Sequence, residues 1–371
     1  MHKISLHMAQ ALEKGQDVVL ATIVSQSGST PRTAGSRMLI LPDSSIVGTI
    51  GGGIVEARVI EAAADARHMG DFQQLTFDLT RTGQQNDLDV ICGGRLTVIL
   101  EPICSTPENI SLYRDRYIYL RQGVSSMVIS SLAKGGGNTL KPLERCLLTG
   151  DRITQGTLSL PERLLDTLAH LSAKQRTPFL ADVEGRQFLV DPPFACGTVY
   201  IFGAGHVSLQ LAKLTGMVNF RTVVLDDRRT FANRERFPEA DEVIVLENFE
   251  NALQGVALDP DAYVVIVTRG HSHDKTVLSQ VLATEVGYIG MIGSRTKRNT
   301  IYNALKQDGI TQRDIDRVHS PIGLDINAET PEEIAVSIVA ELIHARAEGA
   351  YNKLSKDEHA FTSQPGKINL I

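Results

Sequence analysis

The feature that most constrains the fold lies between residues 198 and 229, where a short apolar run meets a glycine turn and a helical pattern follows. Gly203 allows a tight turn, and Gly205 lets the backbone approach a phosphate closely. Ser208 replaces the third glycine of the dinucleotide fingerprint and is still small enough for helix–strand packing. A second apolar run then ends at Asp226, where such folds place a carboxylate that meets a ribose hydroxyl. The order predicts a Rossmann-type β-α-β unit; the alternative is a tightly packed turn that binds nothing.

The downstream sequence extends this pattern into a full domain. Strand-like runs near residues 198–202, 222–226, 243–246, 263–268 and 287–292 alternate with helical stretches. This alternation is typical of a doubly wound parallel sheet covered on both faces. We therefore predict an α/β protein with an N-terminal α+β domain (1–103), a middle α+β segment (104–195), a Rossmann-type domain (196–346) and a polar tail (347–371).

Composition excludes several classes of function. A formal net charge of −6 argues against non-specific nucleic-acid binding, which needs a basic surface. The four cysteines form no CxxC pair, so neither a zinc site nor a disulfide scaffold is indicated. The first residues lack the apolar core of a signal peptide, and no apolar run approaches the length of a membrane span. We expect a cytoplasmic protein that binds neither nucleic acid nor membrane.

Loops at the carboxyl ends of the predicted parallel strands supply the candidate ligand contacts, because that edge of a doubly wound sheet faces the crevice. Asp227 and Arg228 follow Asp226 at one loop. At another, Gly293 and Ser294 precede basic residues at a helix start, which suits a bound phosphate. The alternative is a solvated basic helix start.

Histidines are concentrated at the same edge. His206, His271, His273 and Asp274 could converge on a divalent metal. The alternative, and the commoner outcome, is that these side chains bond to a ligand or to backbone, so no metal site is assigned. His206 and His271 are candidate acid–base groups, and no nucleophile with a dedicated base can be identified.

The first domain carries a second glycine bend. Gly51, Gly52 and Gly53 precede a predicted helix, so their amides can bind an anion, although tight-turn glycines are nearly as good an interpretation. Arg32 and Arg37 lie on neighbouring segments and could add guanidinium donors. Glu56 could favour the helix dipole or accept a hydrogen bond from an amino-pyrimidine edge.

One cysteine is a candidate reactive group. Cys92 lies in a Cys-Gly-Gly-Arg segment, where a thiolate is favoured; a buried inert cysteine is the alternative. Cys92 is thus a candidate catalytic residue, together with His206 and His271. The candidate cofactor-binding residues are Arg32, Arg37, Gly51, Gly52, Gly53, Glu56, Gly203, Gly205, His206, Asp226, Asp227, Arg228, Gly293, Ser294, Arg295 and Lys297.

Taken together, the motifs resemble the XdhC/CoxI family of accessory factors that mature xanthine dehydrogenase and related molybdenum hydroxylases. The resemblance covers about residues 20–103 and 197–345, and the middle of the chain shows no comparable match. The matching segments are 28–32, 48–56, 91–95, 202–207, 226–228, 268–271, 289–295, 321–325 and 330–338.

The resemblance implies a chaperone that binds molybdenum cofactor (molybdopterin), protects it during sulfuration and inserts it into an apo-molybdenum hydroxylase. It also implies a cysteine desulfurase as partner and a homodimer, and Cys92 would contact the molybdenum or relay sulfur. It favours a cofactor-insertion chaperone over an enzyme with its own turnover. The alternatives are an NAD(P)-dependent oxidoreductase, with His206 or His271 as proton donor, and a regulatory nucleotide-binding protein. Asp226 favours the ribose of NAD, whereas Arg228 could accept a 2′-phosphate, so the nucleotide stays open.

Overall fold

The computed structural model describes residues 2–79, 93–135, 139–150, 152–173, 175, 177–193, 197–256, 258–357 and 369–370. These residues form two compact units. The first unit consists of residues from 1–194 together with the short strand at 369–370. The second unit lies within residues 195–360.

The first unit is built on an antiparallel sheet flanked by helices. Its helices are α1 (His2–Glu13), α2 (Gly53–Met69), α3 (Pro107–Gln122) and α4 (Glu162–Ala173). Its strands are β1 (Val18–Ser27), β2 (Arg37–Ile40), β3 (Ile46–Gly48), β4 (Phe72–Asp78), β5 (Arg95–Ile103), β6 (Ser126–Lys134), β7 (Thr139–Thr149), β8 (Arg152–Gly156), β9 (Phe179–Val183) and β10 (Arg186–Asp191). The C-terminal strand β17 (Asn369–Leu370) pairs with β9, and the sheet order is β17-β9-β10-β6-β7-β4-β5-β1-β2-β3, with β8 on β7.

The alternation of side chains along β1 explains why helices cover both faces of this sheet. Val19 and Ile23 belong to the core that includes Val59 of α2. Leu20, on the opposite face, belongs to the core that includes Leu12 of α1. Because successive strand residues point to opposite faces, one apolar strand supplies two cores.

The second unit is a parallel sheet in the order β13-β12-β11-β14-β15-β16. Its elements are β11 (Thr198–Phe202), α5 (His206–Met217), β12 (Arg221–Asp226), β13 (Glu242–Val245), β14 (Ala262–Ile266), α6 (His271–Leu282), β15 (Tyr288–Met291), α7 (Arg295–Gln307), α8 (Gln312–Ile315), β16 (Val318–His319) and α9 (Pro331–Asp357). One face packs on α5 and α9, the other on α6 and α7. The predicted fold class, a Rossmann-type parallel sheet with an N-terminal α+β region, is confirmed.

Several elements differ from expectation: strands β7, β8 and β16 are additional to the predicted strands, and helix α9 is longer than predicted. Strands β7 and β8 were not predicted, because Pro142 and charged residues obscure the apolar pattern of β7. Strand β16 is only two residues long. Helix α9 continues to Asp357, beyond the start of the predicted polar tail at residue 347, since its polar extension contains several good helix formers. Among the helices of the described ranges, none is both long and apolar enough to cross a bilayer.

Candidate functional site

The two glycines of the turn after β11 have different surroundings. Gly203 has φ of +115°, and a Cβ there would lie 2.3 Å from the carbonyl oxygen of Val267, so only glycine fits. A Cβ on Gly205 would meet no heavy atom within 4 Å. Gly205 is the N-cap of α5, and no side chain caps this helix. The first amides of α5 therefore lack a side-chain cap, and the neighbouring side chain of His206 is exposed.

The carboxylate of Asp226 is fully engaged within this turn. Its Oδ2 accepts hydrogen bonds from the amide of Ala204 at 2.8 Å and from Arg228 Nη2 at 2.8 Å. Its Oδ1 accepts from the Arg228 amide at 3.0 Å and from Arg228 Nε at 2.8 Å. Burial raises the pKa of this carboxyl, but the hydrogen bonds from Arg228 and Ala204 outweigh burial and hold it below its ordinary value. Asp226 thus fixes the glycine turn to the end of β12, and any ribose contact must compete with these bonds.

Two further cation–carboxylate pairs line this edge. Arg269 is bidentate to Asp227, with Nη2 donating to Oδ2 at 2.8 Å, and this bond raises the pKa of Arg269. Lys297 pairs with Asp274, whose Oδ1 accepts from the hydroxyl and amide of Thr268 at 2.6 and 3.1 Å. The Asp227–Arg269 pair joins the loops after β12 and β14, and the Asp274–Lys297 pair joins the first turns of α6 and α7.

Ser294 and Lys297 at the basic start of α7 are already engaged in contacts within the protein. The Ser294 side chain is the N-cap and accepts from the Lys297 amide at 3.2 Å. The stem of Lys297 lies against Gly293, where a Cβ would come within 2.9 Å of Lys297 Cδ. Arg295 is exposed. The predicted phosphate contact of this turn therefore rests on Arg295, because the Ser294 oxygen accepts from the Lys297 amide and Lys297 itself pairs with buried Asp274.

The four candidate metal ligands are not brought together. Asp274 is 0% exposed and committed to Thr268 and Lys297. The His273 ring packs on Phe249, with centroids 4.9 Å apart. His206 and His271 begin two different helices and are exposed. Within the described ranges no three His, Cys, Asp or Glu residues form a group that could hold a metal ion. The structure therefore does not bring these four candidates together at one point, and the Asp274 carboxylate is already paired with Lys297.

Three glycine segments of the first unit converge. A Cβ on Gly28 would lie 2.9 Å from the Gly93 carbonyl oxygen, and one on Gly94 would lie 2.4 Å from the Ser29 carbonyl oxygen. A Cβ on Gly51 would lie 2.8 Å from Pro31 Cβ. Gly28 and Gly94 are required because backbone packs on backbone, and Gly51 is required because the Pro31 ring lies against it.

The bend before α2 is open but partly self-satisfied. A Cβ on Gly52 or Gly53 would meet nothing within 4 Å, and no side chain caps α2. Glu56 Oε1 accepts from the Thr49 hydroxyl at 2.5 Å and from the amides of Ile50 and Gly52 at 3.0 and 2.9 Å. Burial raises the pKa of Glu56, but these bonds outweigh it and lower the pKa below its ordinary value. The amides left for an external anion therefore begin at Gly53, in the first turn of α2.

The two candidate arginines of the first unit have different environments. Arg32 is exposed and forms no ion pair with any residue in the described ranges. Arg37 is buried and pairs with Asp191, which also binds Arg116 at 2.5 Å. The expectation that Arg37 donates to a ligand beside the glycine bend is therefore corrected, because its buried guanidinium already pairs with Asp191.

The cysteines give one open candidate. Cys92 lies outside the described residues, but Gly93 and Gly94, which follow it, belong to the converging glycine segments. Cys104 and Cys146 are free thiols. Burial raises the pKa of Cys146 to about 12 and also raises that of Cys104, so neither is activated.

The sequence indicates Asp227, Asp274 and Lys297 as polar residues of this edge but not their partners. The sequence-based prediction missed Phe231 and Arg236. The guanidinium carbons of Arg228 and Arg236 lie 3.9 and 4.5 Å from the Phe231 ring centroid, and Arg236 donates to the Ala204 carbonyl at 3.4 Å. The signal was present as an aromatic residue among arginines soon after the acidic end of β12.

These features define a two-unit α/β protein with a glycine bend and an open helix end in each unit. Residues 11–78 match the model of the XdhC and CoxI family, and residues 199–342 match that of the XdhC Rossmann domain. The chain belongs to the XdhC/CoxI family.

The chain is 29% identical to a probable xanthine dehydrogenase subunit of Bacillus subtilis, over 90% of this chain and 95% of that protein. It is 20% identical to the Escherichia coli molybdenum cofactor insertion chaperone PaoD, over 93% and 89% of the two chains. It is 24% identical to the uncharacterized E. coli protein YqeB but spans only 48% of its length. The crystal structure of a protein described as a xanthine dehydrogenase from Bacillus halodurans matches with a TM-score of 0.72 and 26% identity, over 93% of this chain and 96% of that chain.

Proposed function

We propose that this protein binds the molybdenum cofactor and inserts it into a molybdenum hydroxylase of the xanthine dehydrogenase type. Family membership and a relative named as a molybdenum cofactor insertion chaperone support this role. The structural observation that carries it is the open bend at Gly52 and Gly53, where converging glycine segments leave the end of α2 uncapped.

The residues at this bend fit the phosphate end of such a cofactor. A Cβ on Gly52 or Gly53 would meet no heavy atom within 4 Å, so the space beside the bend is open. The first-turn amides of α2 and the positive end of its dipole favour an anion, and Arg32 is an exposed cation on the adjoining segment. Glu56 holds the bend through Oε1, and Oε2 forms no hydrogen bond with any described residue, so it can accept from an amino-pyrimidine edge. When bound, the cofactor supplies the molybdenum centre with its terminal ligands.

Anaerobic equilibrium retention of purified molybdenum cofactor tests this assignment. We expect Arg32→Ala to retain less pterin and molybdenum than the unmodified chain. The matched control is Arg163→Ala, which removes another exposed arginine of the same unit; among the described residues, its ion-pair partner is the exposed Glu184 at 3.0 Å. Equal retention by both variants and the unmodified chain would remove Arg32 and this bend from the proposal.

The finer steps follow from the same role. The protein holds the cofactor while its terminal sulfur ligand is installed, a cysteine desulfurase supplies the sulfur, and Cys92 contacts the molybdenum or relays sulfur beside the glycine segments. A homodimer is the proposed assembly, and sedimentation of the purified chain tests it.

A nucleotide in the second unit is a second candidate function. The specific observation is the uncapped end of α5 at Gly205, beside the Arg228–Arg236 stack on Phe231. The ligand would be NAD(P) or the nucleotide part of a dinucleotide cofactor. If the protein were an oxidoreductase, His206 and His271 would be the proton donors available. Changes in nicotinamide absorbance with small carbonyl substrates separate turnover from simple binding.

A further inference from the structure

The ion pair between Asp227 and Arg269 spans the glycine turn of the second unit. Strand β11 lies between β12 and β14 in the sheet. Asp227 follows β12 and Arg269 follows β14, so a bond between them passes across the end of β11. The turn from Gly203 to Gly205 begins at that end.

This pair differs from the two other cation–carboxylate pairs at the same edge. Asp226 and Asp274 have side chains 1% and 0% exposed, and backbone amides of Ala204 and Thr268 anchor them. These carboxylates cannot leave without stranding a buried charge. Asp227 and Arg269 are 18% and 38% exposed, and within the described ranges their side chains form hydrogen bonds only with each other. Both can therefore separate and be hydrated.

We propose that the Asp227–Arg269 pair is a latch over the turn, and that Arg269 leaves Asp227 to bind the phosphates of an incoming nucleotide. This inference rests on the nucleotide site proposed above. With the latch closed, Arg269 and Asp227 neutralise each other, so Arg269 offers no free charge to an anion. With ligand bound, Arg269 gains a charge-assisted contact to phosphate, and Asp227 turns to water. The ligand class is a nucleotide carrying a pyrophosphate, as in NADH, NADPH or a cytidine diphosphate moiety.

The latch makes opposite predictions for its two residues. Asp227→Asn frees Arg269 and should tighten nucleotide binding by about fivefold, since an exposed ion pair that must first be broken holds up to about 1 kcal/mol. Arg269→Gln should weaken binding by about tenfold or more, because a hydrogen bond to the ligand charge is lost. In the double variant the gain from Asp227→Asn should disappear, because no arginine remains to be released.

Calorimetric or fluorescence titrations with NADH, NADPH and CDP as separate probes, at low salt, test the latch. The matched control is Glu242→Gln, which breaks the Arg221–Glu242 pair of 2.7 Å at the amino end of the same parallel strands, and it should leave affinity unchanged. If the unmodified chain binds a probe and Asp227→Asn binds it no more tightly, the latch is wrong while the nucleotide site stands. A gain that persists in the double variant also overturns the latch, since repulsion alone would explain it. If neither the unmodified chain nor Asp227→Asn binds any probe, the nucleotide site itself fails, and the latch with it.

Discussion

Asp191 gives the sharpest test of the buried ion cluster in the first unit. Its carboxylate at the end of β10 binds Arg37 of β2 and Arg116 of α3. The side chains of the two arginines are only 7% and 9% exposed. Arg116 and Arg37 outweigh the effect of burial, which raises the pKa of Asp191, and hold it below its ordinary value. Asp191→Asn removes the charge with little change of shape.

The expected loss is large because two buried cations lose their counter-ion at once. Removing one partner of a buried ion pair typically costs about 3–5 kcal/mol. The asparagine oxygen can still accept one hydrogen bond, so we expect the loss to lie near the lower end of this range. The free energy of unfolding of the first unit should therefore fall by about 3 kcal/mol. The matched control, Glu184→Gln, breaks the exposed Arg163–Glu184 pair and should cost less than about 1 kcal/mol.

The chain contains no tryptophan and has two units, so a global fluorescence transition does not isolate the effect. Hydrogen exchange measured over a urea series, read on peptides from β2 and β10, reports the first unit alone. A loss in Asp191→Asn no greater than that in Glu184→Gln would refute the reasoning that these charges are mutually dependent. It would also reopen Arg37 as a ligand contact.

Three further predictions concern single residues. Gly203→Ala should destabilise the second unit by about 2–6 kcal/mol in urea denaturation, from strained φ and overpacking against the Val267 carbonyl, whereas Gly205→Ala should be nearly neutral. Protection of residues 49–56 from hydrogen exchange should be full above pH 4.5 and fall as the pH drops below it, because the folded-state pKa of Glu56 is lowered; Glu56→Gln should flatten this dependence, and an unchanged profile would contradict it. Cys92→Ser should lower sulfuration of the target hydroxylase, measured as its restored activity, while Cys104→Ser should not; unchanged activity in Cys92→Ser removes the sulfur role.

The Rossmann-type unit could be predicted because its signals are local. The central strands β11 and β14 are short apolar runs, and the glycines of the turn after β11 are visible in the sequence. Gly203 must be glycine because a Cβ there would collide with the Val267 carbonyl oxygen. The fingerprint places a glycine at this position because the turn is tight. The open position at Gly205 also agrees with its place in that pattern.

The pairings of charged residues could not be predicted because they are not local. Arg37 and Asp191 are 154 positions apart, and no spacing rule connects them. From the sequence alone, Arg37 near a glycine bend therefore suggests a ligand contact, whereas in the structure its guanidinium is buried and pairs with Asp191. The same applies to Asp274, whose partner Lys297 follows a different strand. Residue type indicated which side chains carry chemistry, but only the fold shows which of them are already neutralised.

We propose that this chain carries molybdenum cofactor, and anaerobic transfer tests this role most directly. The purified chain is equilibrated with cofactor, freed of unbound material and mixed with an apo-molybdenum hydroxylase. We predict that pterin and molybdenum are retained together in stoichiometric amounts and then move to the hydroxylase, which gains activity. Retention no higher than that of an unrelated acidic protein, with no activity gained on mixing, would contradict the account.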